Sequence, residues 1–280
     1  MGFHQTLLRF MTITSFSLLV VACSNKTVQE PDLPEQEYYE KAQAALEDGL
    51  PTTAAKHLKD LTSRYPFGEY TIRAELDLIY SYLSAGDFIA AHVNVERFIK
   101  NHPDHSSLDY AYYMRGLITY KSTESFLGRY IALDPSERDV SELTTSFNEF
   151  SLLLERYPNS QYAPDAKARM VYLRNIIARH ELQVANYYFK RKAPLSALRR
   201  GQTVLEQYPS SDSIEDALGV IIQAYIDLGQ FDLAQNNIEV LRTSYPTSKF
   251  LDKDDKFISP RLPKDADPDF LYWVTLGAID

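Results

Sequence analysis

An all-α solenoid of five helix-turn-helix repeats, with longer third and fourth units, is the fold this sequence predicts. Three observations predict it. An aromatic ring followed by proline recurs at Tyr65-Pro66, His102-Pro103, Tyr157-Pro158, Tyr208-Pro209 and Tyr245-Pro246. Proline cannot continue a helix and pushes the residue before it out of the α region, so each pair reads as a helix stop. Twelve positions before each proline stand small residues, Ala54, Ala91, Ser146, Ala197 and Ala234. Five before stand apolar ones, Leu61, Phe98, Leu153, Val204 and Leu241. A small residue early and an apolar face later describe the packed side of one helix per unit.

The units follow in order. In the first, 35–66, Leu46 falls in a leading helix and Pro51 opens the second, where a first turn tolerates it. In the second, 67–103, the Gly-containing turn "AGDF" separates Leu83 from a helix opened by Phe88. The third, 104–158, has Arg138 where its neighbours have an apolar residue, and "KSTESFLGRYIALDPSERD" (Lys121 to Asp139) reads as an insertion. The fourth, 159–209, carries a long first helix from about Tyr162 to Arg191, roughly 45 Å. Its stripe of Met170, Leu173, Ile177, Val184 and Tyr187 is expected to be mostly core. The fifth, 210–246, repeats the turn as "LGQF". Gly, x, aromatic, x, x, Ala and a closing proline form the tetratricopeptide (TPR) pattern, whose usual period is about 34 residues. The proline spacings here are 37, 55, 51 and 37. Stacked units of this kind present extended binding surfaces.

Residues 1–22 read as a signal peptide: Arg9, an apolar stretch from Phe10 to Ala22, then the only cysteine. Val20-Val21-Ala22-Cys23 resembles a lipobox, so acylated Cys23 is expected to anchor the chain, through a polar tether at 23–34, to a membrane. Ser24 resembles the residue that sorts lipoproteins to the outer membrane, and no cysteine is left for a disulfide. The repeats are assigned to 35–248 and a C-terminal extension to 249–280. For its apolar finish, "FLYWVTLGAID" with Trp273, packing on the last repeat, binding a partner and staying unstructured remain open.

Without residues 1–22 the chain has 28 basic and 38 acidic residues, net −10, which argues against nucleic acid as partner. Between Tyr162 and Arg200, however, nine basic residues face only Asp165 and Glu181. That local charge, with Arg191, Lys192, Arg199 and Arg200 at its end, points to an acidic protein surface or anionic headgroups. No catalytic signature is present, and His102 and His105 read as an exposed turn rather than a metal site. The chain therefore reads as a binder without a cofactor rather than an enzyme. Among 20 tyrosines and 14 phenylalanines, the densest run is "DYAYYMRGLITY". Tyr110, Tyr113, Leu117 and Tyr120 share one helical stripe, expected in the core, which leaves Tyr112 and Arg115 for a peptide-binding groove.

The lipobox and the strings "RYPFGEY", "LDLIYSY", "DYAYYMRGL", "PSERD", "RYPNSQYAPDA" and "YYFKRKA" closely resemble the BamD family, TPR lipoproteins of the β-barrel assembly machinery. The resemblance implies a periplasm-facing scaffold at the outer membrane. It would bind unfolded barrel proteins, join the barrel subunit BamA through a periplasmic POTRA domain, and meet accessory lipoproteins. It implies substrate contact at the "RYPFGEY" exit, Arg64, Tyr65, Phe67 and Tyr70, with Asp77 and Tyr80 beside it, and BamA contact at Arg200 beside Arg199. A TPR lipoprotein that organises cell-wall or division enzymes is the alternative reading.

Overall fold

A computed structural model describes residues 33–124 and 134–259. Five antiparallel helix pairs follow one another: α1 Glu35–Glu47 and α2 Pro51–Arg64, α3 Thr71–Ala85 and α4 Phe88–Asn101, α5 Leu108–Ser122 and α6 Ser141–Arg156, α7 Ala163–Lys190 and α8 Pro194–Gln207, α9 Ile214–Asp227 and α10 Phe231–Ser244. Each helix packs on the next in sequence, which makes an all-α TPR-like solenoid.

The five exits share one geometry. Tyr65, His102, Tyr157, Tyr208 and Tyr245 lie at φ between −123° and −136° and ψ between 47° and 71°, where the following proline forces them. Each donates its amide to the residue five before the proline, so Leu61, Phe98, Leu153, Val204 and Leu241 both close the helix and fill the core. The small residues twelve before are buried in all five units. Ser146, the one hydroxyl among them, donates to the Gly116 carbonyl at 2.9 Å, and Gly116 lets the Phe150 ring approach closer than any Cβ would allow.

The turn between paired helices needs a left-handed residue, supplied by Gly49, Gly86 and Gly229 at φ of 70° to 76°. In the fourth unit the equivalent residue is Lys192, at φ 55°.

The long spacings of the third and fourth units are one feature. Helix α7 has 28 residues against 14 in α8, so half of it extends past its partner. The described end of the segment between α5 and α6 packs on the second half of α7, at His180 and Gln183. Its 3-10 turn, Pro135–Glu137, buries Ser136 completely, with the Ser136 carbonyl accepting from His180 at 2.8 Å and its hydroxyl accepting from Gln183 at 2.7 Å. Arg138 breaks the register because it lies in this segment, and the leading helix is present as α5. Along α7, Leu173 and Ile177 are core as expected, but Met170 and Val184 are half-buried and Tyr187 is exposed; Ile176, Ala178, Leu182 and Ala185 complete the buried face.

Beyond the fifth exit, Phe250 packs against Gly219 of α9, and an antiparallel bridge pairs Leu251 with Phe257. Phe250, Leu251 and Phe257 thus pack in the last cluster. Cys23, the signal peptide and Trp273 lie outside the described residues, as does most of the tether. Among the described residues no helix is long and apolar enough to cross a membrane.

Candidate binding face

The leading helices of the first four units bring tyrosines side by side. On α1, Tyr39 donates its hydroxyl to Asp77 of α3 at 2.9 Å, and Gln43 donates to the same oxygen at 2.7 Å. Tyr70 stands four residues after Pro66, and its ring lies 5.1 Å from that of Tyr39. Tyr162 stands four residues after Pro158 and meets Tyr113 at 4.9 Å, nearly parallel, and Tyr110 at 5.4 Å. Tyr113 donates to Asp165 at 2.8 Å, Arg169 donates to the same carboxylate at 2.6 Å, and the Arg169 guanidinium covers the Tyr120 ring at 5.5 Å. Tyr120 meets Tyr172 edge-on at 6.3 Å. Tyr80, 48% exposed, lies one turn along α3 from Asp77, and both bear electrostatically on Tyr110.

This face keeps its hydroxyls neutral. Burial, then the hydrogen bond to Asp77, pushes Tyr39 up to about 12. Burial, then Tyr162 and Asp77, raises Tyr110, and burial likewise leads the upward shifts of Tyr113, Tyr120 and Tyr162. For Asp165 burial pulls upward, but the hydrogen bonds from Arg169 and Tyr113 outweigh it and hold the carboxyl below its usual range. The result is a strip of aromatic area with fixed donors and one internally balanced ion pair, suited to a segment that buries rings and offers backbone polar groups.

Two sequence expectations are reversed here. Tyr110, Tyr113, Leu117 and Tyr120 are half-buried and line the face instead of the core. Tyr112 is the core residue, 5% exposed, between the guanidinium groups of Arg115 at 4.8 Å and Arg156 at 5.2 Å. Arg115 does not face a groove either. It is paired with Glu96 at 3.3 Å and Glu149 at 3.6 Å, and burial pushes the Glu149 carboxyl up against the opposing Thr119 hydrogen bond and the Arg115 charge. The cause is that α5 is packed against α4 and α6 at once, so its buried stripe of Leu108, Ala111, Met114 and Ile118 is flanked by rings on both sides.

At the first exit, the Glu35 carboxylate accepts from the amides of Glu69 and Tyr70, occupying space that a side chain at Gly68 would fill. The locked turn presents Phe67, 99% exposed. Tyr65 donates to the Leu33 carbonyl at 2.8 Å, and Arg64 lies over the Tyr38 ring. His102 and His105 are half-buried rather than exposed: His102 meets Glu75 at 2.7 Å and Phe98 ring to ring, and His105 accepts from the Ser107 amide.

The basic end of the fourth unit lies apart from this face. Arg191 covers Tyr187 at 5.3 Å, Lys192 projects from its left-handed position, and Arg199 is exposed on α8. Arg200 donates to Glu181 at 2.9 Å, and this hydrogen bond leads the causes that raise its pKa. The residues missed by sequence reasoning are Tyr39, Tyr162, Asp165 and Arg169. A signal existed in the aromatic that recurs four residues after the exit proline at Tyr70, Tyr162 and Phe250.

Comparison with known proteins shows what the whole chain is similar to. A family described as outer membrane lipoprotein, YfiO, matches residues 31–241. The outer membrane protein assembly factor BamD of Vibrio cholerae is 34% identical over 239 residues, spanning 85% of this chain and 98% of that relative. BamD of Xylella fastidiosa is 36% identical over 236 residues, 84% of this chain and 80% of the relative. A tetratricopeptide repeat protein from Parabacteroides merdae aligns over 75% of this chain and 79% of its own, with a TM-score of 0.35 and 16% identity.

Proposed function

Because this chain belongs to the YfiO outer membrane lipoprotein family, whose relatives in Vibrio cholerae and Xylella fastidiosa are the assembly factor BamD, we propose that its tyrosine face receives barrel proteins before they fold. At family level it is an outer membrane protein assembly factor. The observation that carries the finer reading is the rank of rings from Tyr39 to the exposed Tyr172, backed by Asp77, Asp165 and Arg169. A strand of an unfolded barrel protein offers alternate aromatic side chains and unpaired backbone groups, which such a strip complements. Phe67 and Tyr80 are the exposed anchors at its first-repeat end. The chemistry is affinity and positioning, without a catalytic step or a cofactor.

Docking on a BamA-like barrel subunit through a periplasmic POTRA domain, with accessory lipoproteins alongside, belongs to the basic end at Arg191, Lys192, Arg199 and Arg200. Acylated Cys23 would hold the chain at the outer membrane, facing the periplasm, and Cys23→Ser should abolish incorporation of labelled palmitate.

The central test is binding of a peptide from the aromatic-ended last strand of a barrel protein, measured by calorimetry. Tyr80→Ala should weaken it about tenfold, the loss of roughly 1.4 kcal/mol at one exposed anchor. Unchanged affinity in both Tyr80→Ala and Phe67→Ala would remove the face from substrate recognition. For docking, Arg199→Glu is cleaner than Arg200→Glu, because a carboxylate at 200 would also repel Glu181. Undiminished recovery of the barrel subunit with Arg199→Glu and Lys192→Glu would count against this end, and recovery of wall enzymes instead would count against the assembly role.

A further inference from the structure

Four of the five exit turns are fastened by a carboxylate near the start of the leading helix in the same unit. In the first unit Glu35 accepts from the amides of Glu69 at 3.1 Å and Tyr70 at 2.7 Å. In the second, Glu75 meets the His102 ring at 2.7 Å. In the third, Ser160 donates its hydroxyl to Asp109 at 2.7 Å. In the fifth, one oxygen of Glu215 accepts from the Ser248 hydroxyl at 2.7 Å and from the Lys249 amide at 3.1 Å.

The fourth exit differs. Counted from the exit proline, Ser211 and Asp212 are the equivalents of Ser248 and Lys249. The acceptor here is Asn175, a neutral carboxamide that takes the Asp212 amide at 3.3 Å. The Ser211 hydroxyl is buried without a hydrogen-bond partner among the described residues, and so is Nε of Arg174, the neighbour of Asn175. The cause is the length of α7: Asn175 lies midway along its 28 residues, so this exit falls far from the helix start, where the other units have their acids. A hydrogen bond to a carboxylate is roughly twice as strong as one between neutral groups. An unpartnered buried hydroxyl weakens the turn further. Beneath the turn, α8 meets α9 at Gly201, where a Cβ would come within 2.8 Å of Ile221 and 3.2 Å of the Ala217 carbonyl. Because α8 offers only backbone there, a small rotation of α9 about this point drags no side chain of α8 past it.

We propose that residues 208–213 are the hinge of the solenoid, about which α9 and α10 swing as one body against α7 and α8. Hinges of this kind are a few residues at element ends that absorb the backbone change. The junction before it is tied across units, by Tyr113 to Asp165 and by His180 and Gln183 to Ser136, and so stays fixed. The hinge sets the angle between the basic end of the fourth unit and the fifth unit, and it does not rest on the assembly role.

Hydrogen exchange resolved to single amides, in the full chain in detergent, tests the turn. After correction for intrinsic rates, the Asp212 amide should exchange about tenfold faster than those of Glu69 and Lys249. Asn175→Asp keeps the shape and puts a carboxylate beside Asp212, and it should slow that amide about tenfold. An acid at 212 is no obstacle, since Glu69 occupies the same place over Glu35. The swing is read by distances between spin labels on a keto amino acid at the exposed positions Glu155, Asn186 and Asn236. The distribution from Asn186 to Asn236 should be broader than that from Glu155 to Asn186, and Asn175→Asp should narrow only the former. The converse variant, Glu215→Gln, should raise exchange at Lys249 to the level of Asp212. Wild-type exchange at Asp212 as slow as at Lys249, or equal breadth of the two distributions, overturns the proposal. So does an Asn175→Asp protein with wild-type helix content and undiminished breadth, or unchanged exchange at Lys249 in Glu215→Gln.

Discussion

Tyr39 couples the first two repeats through one hydroxyl, and its raised pKa makes that coupling readable. The folded group titrates at about 12 against an ordinary 10.0, so its contribution is complete below pH 10 and is lost as pH rises toward 12. Tyr39→Phe should therefore cost about 1 kcal/mol at neutral pH, and the gap to wild type should close across that window, as followed by urea unfolding at a series of pH values. Lys192 offers a second test. Its left-handed backbone is strained for a lysine, and three other repeats use glycine there. Lys192→Gly should raise stability by about 0.5–1 kcal/mol in thermal unfolding while weakening recovery of the barrel subunit. At this scale the sequence was only partly legible. The exit residues and the small buried alanines follow from proline sterics and spacing, whereas Tyr112 and Tyr113 differ by one position on a helix packed from several sides, and periodicity alone could not say which was core.

Helix α7 and the segment before it form a unit larger than a repeat. Their lengths in the chain announced that something was inserted, and the long helix is bounded within a residue or so of its expected ends. What spacing could not reveal is that the two irregularities meet, because the meeting rests on a few polar groups, Asp134, Ser136, His180 and Gln183, that carry no periodic signal. Ser136→Ala leaves the Gln183 amide without its partner, while Asp134 keeps the Ser136 backbone amide, and should cost about 1–3 kcal/mol. Hydrogen exchange should show the loss at residues 134–140 and in the second half of α7, with α1 and α2 unchanged. A uniform loss across the chain would mean that the contact is not local.

Across the whole molecule, stability is expected to add up from neighbour to neighbour, since packing is overwhelmingly between consecutive helices. Phe250→Ala should therefore cost about 3 kcal/mol and lower exchange protection in α9 and α10 while sparing α3 to α5. The contact between Ser136 and α7 has a further consequence when the molecule is considered as a load-bearing strand. Pulled from both ends, the first and fifth repeats each have one neighbour to hold them and should peel away in short steps. The third and fourth repeats, bolted together across their junction, should give way last and as a single event. Releasing residues 108–207 at once would lengthen the chain by on the order of 300 Å, a terminal rip in a force–extension trace that five equal repeats would never produce.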